Sequence, residues 1–139
     1  MIQVQRLSEG AFLPTKAYVG DAGWDLYASV TMEIPPGEAV DVPCGIAVAI
    51  PQGYFGRITG RSSTFRKRRV QVFEGVIDAG FRGELYALAL NWNGHPITVQ
   101  AGERIAQMLI HEVPALPMVE RDTLPASQRG TAGFGSSGV

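Results

Sequence analysis

Apolar residues in this chain alternate with polar ones, in short runs cut off by Gly and Pro. That period of two belongs to β-strands, whose successive side chains face opposite sides. The spacing predicts strands over 2–6, 39–42, 47–50, 54–59, 70–73, 84–91, 97–99 and 104–113. Between them stand turn signals: Pro35-Pro36-Gly37, Pro51-Gln52-Gly53, Asn93-Gly94 and Ala101-Gly102. Helical periodicity is scarce, and 62–69 is the segment expected to form one short helical turn. Many short strands at this spacing predict an all-β chain built as a sandwich, jelly roll or barrel. No internal repeat and no linker interrupts it, so one domain is expected.

Two runs depart from simple alternation. Residues 85–90 (Leu-Tyr-Ala-Leu-Ala-Leu) are apolar on both faces, and so are 105–110, interrupted only by Gln107. A small sandwich exposes one face of each sheet. Doubly apolar strands therefore imply another covering surface and are read as a subunit interface, the alternative being that both strands are central in their sheets.

Composition narrows the class. A net charge of −1 and a pI near 6.1 give no electrostatic footprint for polymeric nucleic acid. The single cysteine, Cys44, excludes an intrachain disulfide and argues against a thiolate metal site. His95 and His111 have no ligand-type spacing and are expected at the surface or rim. No basic-then-apolar leader is visible, and the run 85–90 is far too short to cross a bilayer. A soluble, cytoplasmic protein without a membrane partner is expected.

Four internal segments carry candidate chemistry, and a basic run stands beside the second. Asp21-Ala-Gly-Trp-Asp25 sets two carboxylates around a Gly. Asp21 suits an Asx turn. Asp25 sits in an otherwise apolar stretch and needs a partner there, either an Arg or a hydrated cation. Gly60-Arg61-Ser62-Ser63 follows a strand, and its guanidinium and hydroxyls suit phosphate oxygens, although Ser-Ser also marks ordinary turns. Arg66, Lys67, Arg68 and Arg69 come next, as a solvated basic loop or a patch for a protein partner. In 75–84, Ile77 and Phe81 flank an Asp78-Ala79-Gly80 turn, which reads as a tight β-hairpin. Asp78 there either caps the turn or holds a water as general base. Gly102-Glu-Arg-Ile-Ala-Gln107 leads into an apolar strand, where Gln107 either satisfies backbone groups or reaches a ligand.

The C-terminal stretch 129–139 reads Arg-Gly-Thr-Ala-Gly-Phe-Gly-Ser-Ser-Gly-Val. It cannot bury a core of its own. It nevertheless has the parts to hold a nucleotide. Gly135 and its neighbouring glycines allow close backbone approach, Ser136 and Ser137 supply hydroxyls, Arg129 a charged fork and Phe134 a stacking face.

Taken together and in order, these segments resemble the motifs of the trimeric dUTPase family. Gly75-Val76-Ile77-Asp78-x-x-Phe81-Arg82-Gly83 and Arg129-Gly-x-x-Gly-Phe134-Gly135-Ser136-Ser137-Gly138 are the most specific of them. The resemblance implies a jelly-roll, β-clip-like distorted barrel over 1–128, assembled as a homotrimer. It implies that 129–139 is a mobile arm closing over a site built mostly by other subunits. The implied activity is hydrolysis of dUTP to dUMP and pyrophosphate. In that scheme Asp78 deprotonates the attacking water and contacts the 3′-hydroxyl. Phe81 packs on the sugar and excludes a 2′-hydroxyl, while the backbone of Gly75, Val76 and Ile77 reads the uracil. Arg61, Ser62, Ser63 and Gln107 hold the α- and β-phosphates. Arg129, Ser136 and Ser137 hold the γ-phosphate, with Phe134 on the uracil. Mg2+ sits on the phosphates, supported by Asp25 through water.

The chain departs from the family at several points. The second motif usually reads Pro-Arg-Ser-Gly-Leu-Ala, and here it is Gly60-Arg-Ser-Ser-Thr-Phe65. Ser63 thus replaces a Gly, Phe81 stands where Tyr is commoner, and Val72 stands nearest to a frequent Asn. Two alternatives remain. A dCTP deaminase shares the resemblance around Gly60–Ser63 but needs a Glu where this chain has Leu88, and leucine relays no proton. A regulatory module would keep the fold and use 66–69 for a protein partner.

Overall fold

The computed structural model describes residues 1–138; Val139 lies outside the described residues. The chain forms β1 (Gln3–Arg6), β2 (Gly23–Tyr27), β3 (Met32–Ile34), β4 (Ala39–Pro43), β5 (Ile46–Ala49) and β6 (Tyr54–Thr59). There follow α1 (Ser62–Arg68), β7 (Val70–Val72), β8 (Gly75–Ile77), β9 (Tyr86–Asn91), β10 (Ile97–Val99) and β11 (Arg104–Glu112). All strand pairs are antiparallel. The larger sheet has the order β2-β11-β6-β8, the smaller β4-β9-β7, and β1-β5 and β3-β10 form two-stranded ribbons. Partners are distant in sequence, as in a jelly roll. The inward side chains Leu26, Ile34, Val42, Ile58, Ile105 and Met108 meet in one buried core. The expected all-β jelly roll is present.

Three strands escape the alternation pattern. β2 contains Gly and Asp, which are poor strand formers, and exists because β11 pairs along it. β3 and β8, three residues each, stand outside the predicted strands. The expected single helical turn is a two-turn helix, closed by Arg69 in the left-handed conformation (φ 55°), a place usually taken by Gly.

The expected hairpin at Asp78-Ala-Gly80 is corrected. The turn closes, with the Phe81 N–H donating to the Asp78 carbonyl at 3.0 Å. Its two arms do not pair with each other. β8 pairs with β6 in one sheet, and the chain after Phe81 crosses to β9 in the other.

The doubly apolar strands part company. In β11 a register shift between Arg104 and Ala106 leaves Ile105, Ala106 and Met108 all buried within one subunit, so this strand is simply central. In β9, Ala87, Ala89 and Asn91 point inward, while Tyr86 and Leu88 stay 45% and 39% exposed. Asn91 is fully buried and satisfied, donating to the carbonyls of Ile34 (3.0 Å) and His95 (2.8 Å). Cys44 is buried too. Desolvation, and then the Glu84 carboxylate, push its thiol up to about 12, so it stays protonated. His95 is exposed; His111 is half-buried and stacks on Phe55.

Beyond β11 the chain leaves the body. The Val113 N–H donates to the Gly53 carbonyl at 2.8 Å. From there to Gly138 every residue except Gly133 is exposed, and none belongs to a strand or helix.

Candidate active site

One cleft, of about 360 Å³, lies where β2, β6 and β11 come together at the start of α1. Asp25, Arg61, Ser62, Ser63, Arg104 and Gln107 line it. Asp25 faces it from β2, directly opposite Gln107 on β11. Its Oδ1 lies 2.7 Å from Arg61 Nε, and its Oδ2 lies 3.6 Å from Arg104 Nε. The partner that the half-buried carboxylate needed is therefore arginine. Binding through Nε turns the Arg61 fork and leaves its terminal nitrogens without a hydrogen bond among the described residues. Gln107 Nε2 donates to the Gly60 carbonyl at 3.0 Å, tying β11 to the corner that carries Arg61. Gln107 thus satisfies a backbone group, and it also lines the cleft.

Glycine at position 23 makes that arrangement possible. A Cβ there would lie 2.4 Å from Gln107 Oε1. Ser63 fits without strain, since it takes the helical backbone of α1 and is not among the residues with positive φ. Asp21 serves the adjoining loop: its Oδ2 accepts the Tyr18 N–H at 3.0 Å.

Arg104 escaped the sequence reading. Three positions separate it from Gln107, which on a regular strand puts the two on opposite faces. The extra residue at the bulge pairs Arg104 with Tyr27 and Gln107 with Asp25, so both face the same cleft. The motif Gly102-Glu-Arg gave the only signal.

A second cleft, of about 420 Å³, contains Asp78, Ala79, Gly80, Tyr54, Phe55 and Val113 along its wall. Val76 beside it is 65% exposed and Phe81 41%. Arg82 Nη1 donates to the carbonyls of Ala79 and Phe81, both at 2.7 Å, and holds the turn closed.

The two clefts sit at opposite ends of β6. Ile77 pairs with Gly56, so Asp78 leaves the sheet beside Phe55, whereas Arg61 follows Thr59 at the other end. The distance from Phe55 to Thr59 along a strand is about 14 Å. One chain brings Asp25, Arg61, Ser62, Ser63 and Gln107 together, and it keeps Asp78 and Phe81 apart from them. The arm is a third group. Arg129, Phe134, Gly135, Ser136 and Ser137 are exposed and, among the described residues, hydrogen-bonded only within successive turns, such as Arg129 Nε to the Ala132 carbonyl at 2.8 Å.

Among the described residues no group of three or more His, Cys, Asp or Glu side chains is placed to hold a metal ion. Asp25 is already occupied by two arginines. These residues fit a cation brought in on an anionic ligand, with carboxylate contact through water; they do not fit a protein-ligated metal centre.

Comparison with known proteins places the chain among relatives. The dUTPase family model matches residues 9–138. Deoxyuridine 5′-triphosphate nucleotidohydrolase of Gloeobacter violaceus is 42% identical, over 99% of this chain and 96% of its own. A probable deoxyuridine 5′-triphosphate nucleotidohydrolase of Schizosaccharomyces pombe is 38% identical, over 98% and 97%. Among solved structures, the Staphylococcus bacteriophage 80alpha dUTPase with dUPNHPP superposes with a TM-score of 0.95 at 29% identity, covering 100% of this chain and 99% of that one. A mutant dUTPase from phage phi11 of S. aureus, described as coordinating a structural Mg(II) ion, shares the fold with a TM-score of 0.86 at 24% identity over 91% of this chain and 99% of that one. On the family match and the full-length relatives, this chain belongs to the dUTPase family.

Proposed function

We infer that the protein is a dUTP diphosphatase, hydrolysing dUTP to dUMP and pyrophosphate, and that it works as a homotrimer in the cytoplasm. The observation that carries the shared site is the separation along β6. A polyphosphate-type cleft and a carboxylate turn that one chain holds apart form a working site when different copies contribute them. The outward face of β9, with Tyr86 and Leu88, offers apolar surface for such packing.

In this reading Arg61, Ser62, Ser63 and Gln107 grip the α- and β-phosphates, with Arg104 at the rim of the same cleft. A neighbour's turn supplies Asp78, whose carboxylate takes a proton from a water. The water oxygen bonds to the α-phosphorus, and the bridging oxygen leaves with pyrophosphate, so no covalent enzyme intermediate forms. Gly75, Val76 and Ile77 present an exposed strand edge to the uracil, and the open face of Phe81 packs on the deoxyribose. Arg129, Ser136 and Ser137 of the arm close on the γ-phosphate while Phe134 covers the base and displaces water. Asp25 would support, through water, a magnesium ion brought in on the triphosphate, and that ion would supply charge neutralisation. Leu88 stands half-exposed on β9 and supplies no proton relay, which speaks against deamination.

Two experiments test this reading. Pyrophosphate release is measured with magnesium from dUTP, dCTP, dTTP and UTP in parallel; hydrolysis confined to dUTP is expected, and none from any nucleotide overturns the activity. Asp78→Asn and Arg61→Ala chains are then refolded together. Each alone is inactive, and the mixture regains about a quarter of the working sites if the two residues come from different copies. An inactive mixture overturns the shared site.

A further inference from the structure

We propose that Gly83 is a positioning residue for deoxyribose selection, because only a hydrogen at its Cα leaves room for the Phe81 ring in the place it occupies. A Cβ on residue 83 would lie 2.5 Å from Phe81 Cζ, 3.0 Å from Cε2 and 3.3 Å from Cε1. The backbone of Gly83 is not in the left-handed region, so alanine fits there conformationally and the conflict is with the ring alone. The ring, 41% exposed, is the part free to yield.

Everything else around the ring is held. The Phe81 N–H closes on the Asp78 carbonyl at 3.0 Å, and Arg82 Nη1 clamps the carbonyls of Ala79 and Phe81. The main chain of the turn is thus fixed while Phe81 χ1 and χ2 are not. Gly83 supplies the space: the tip of the ring, Cζ with both Cε atoms, occupies the place that a Cβ on residue 83 would fill. A side chain at 83 lifts the ring and changes the depth of the surface that a sugar meets. Asp78, three residues earlier in the same turn, stays where it is. The effect therefore falls on sugar selection more than on turnover.

This inference rests on the reading that Phe81 packs against the deoxyribose, and the test separates the two. The assembled enzyme and its Gly83→Ala, Phe81→Ala and double variants are compared for kcat/KM on dUTP and on UTP, with thermal melting as a check on folding. The expected result is a fall of about tenfold in the dUTP-over-UTP ratio for Gly83→Ala, at an unchanged melting temperature. The double variant should match Phe81→Ala alone, since without the ring nothing remains to be displaced. Equal losses on both nucleotides, or an unchanged ratio in Gly83→Ala while Phe81→Ala lowers it, overturn the role of Gly83. An unchanged ratio in Phe81→Ala overturns the reading of Phe81, and the role of Gly83 with it.

Discussion

The Asp25 cleft and the Asp78 turn are built on opposite principles. In the cleft the charges are paired before any ligand arrives: Asp25 is 14% accessible and clamps Arg61, and Gln107 is pinned to the Gly60 carbonyl. At the turn the backbone is closed, but its functional groups face solvent. Val76 and Phe81 are exposed, and no ion pair engages Asp78 among the described residues. Preorganised charge suits a triphosphate that must be gripped in one geometry. An open edge suits a base and sugar that are enclosed only when another copy and the arm arrive. On the proposed reading, the difference means that one subunit preorganises the cleft for the α- and β-phosphates, while assembly and the arm supply the rest of the site.

The largest expected effect tests the turn. Asp78→Asn should lower kcat by about 10³-fold or more while dUTP binding, followed by calorimetry, stays near normal. Near-normal turnover would remove Asp78 as the base. Truncation before Arg129 should cost about 10²-fold in turnover with the trimer intact by light scattering. Monomers in that experiment would mean that the arm holds the assembly instead of closing the site.

Smaller effects test the cleft. Asp25→Asn frees Arg61 and leaves two cations facing each other, so kcat/KM should fall by about 30-fold, mostly through KM. A drop in kcat alone would point to Asp25 acting on the reacting atoms. Gly23→Ala drives Gln107 from its place and should cost about tenfold in kcat/KM. In a Gln107→Ala background the same change should cost nothing further, because the side chain it displaces is absent. Additive losses would show that Gly23 matters for β2 itself.

Much of this was open to reading along the chain, and the rest was hidden for identifiable reasons. β6 and β11 are long enough to show their period. β2 is a strand by virtue of β11 beside it, against the preferences of Gly23 and Asp25. Arg104 was masked by a bulge, since an inserted residue reverses the face on which a side chain is expected. The apparent hairpin at Asp78 had the right turn residues, but turn chemistry does not say which sheet receives the chain afterwards.

The sequence by itself determined an all-β chain, a segment unable to bury a core at 129–139, and the residue types of a nucleotide site. Those follow from local rules of period, turn chemistry and side-chain function. Only the tertiary structure decided that Asp25 meets arginine, that Gly23 and Gly83 are spaces for Gln107 and Phe81, and that the length of β6 separates Asp78 from Arg61. Each of these depends on which strands become neighbours and in what register, and antiparallel partners far apart in sequence leave no local mark of that choice.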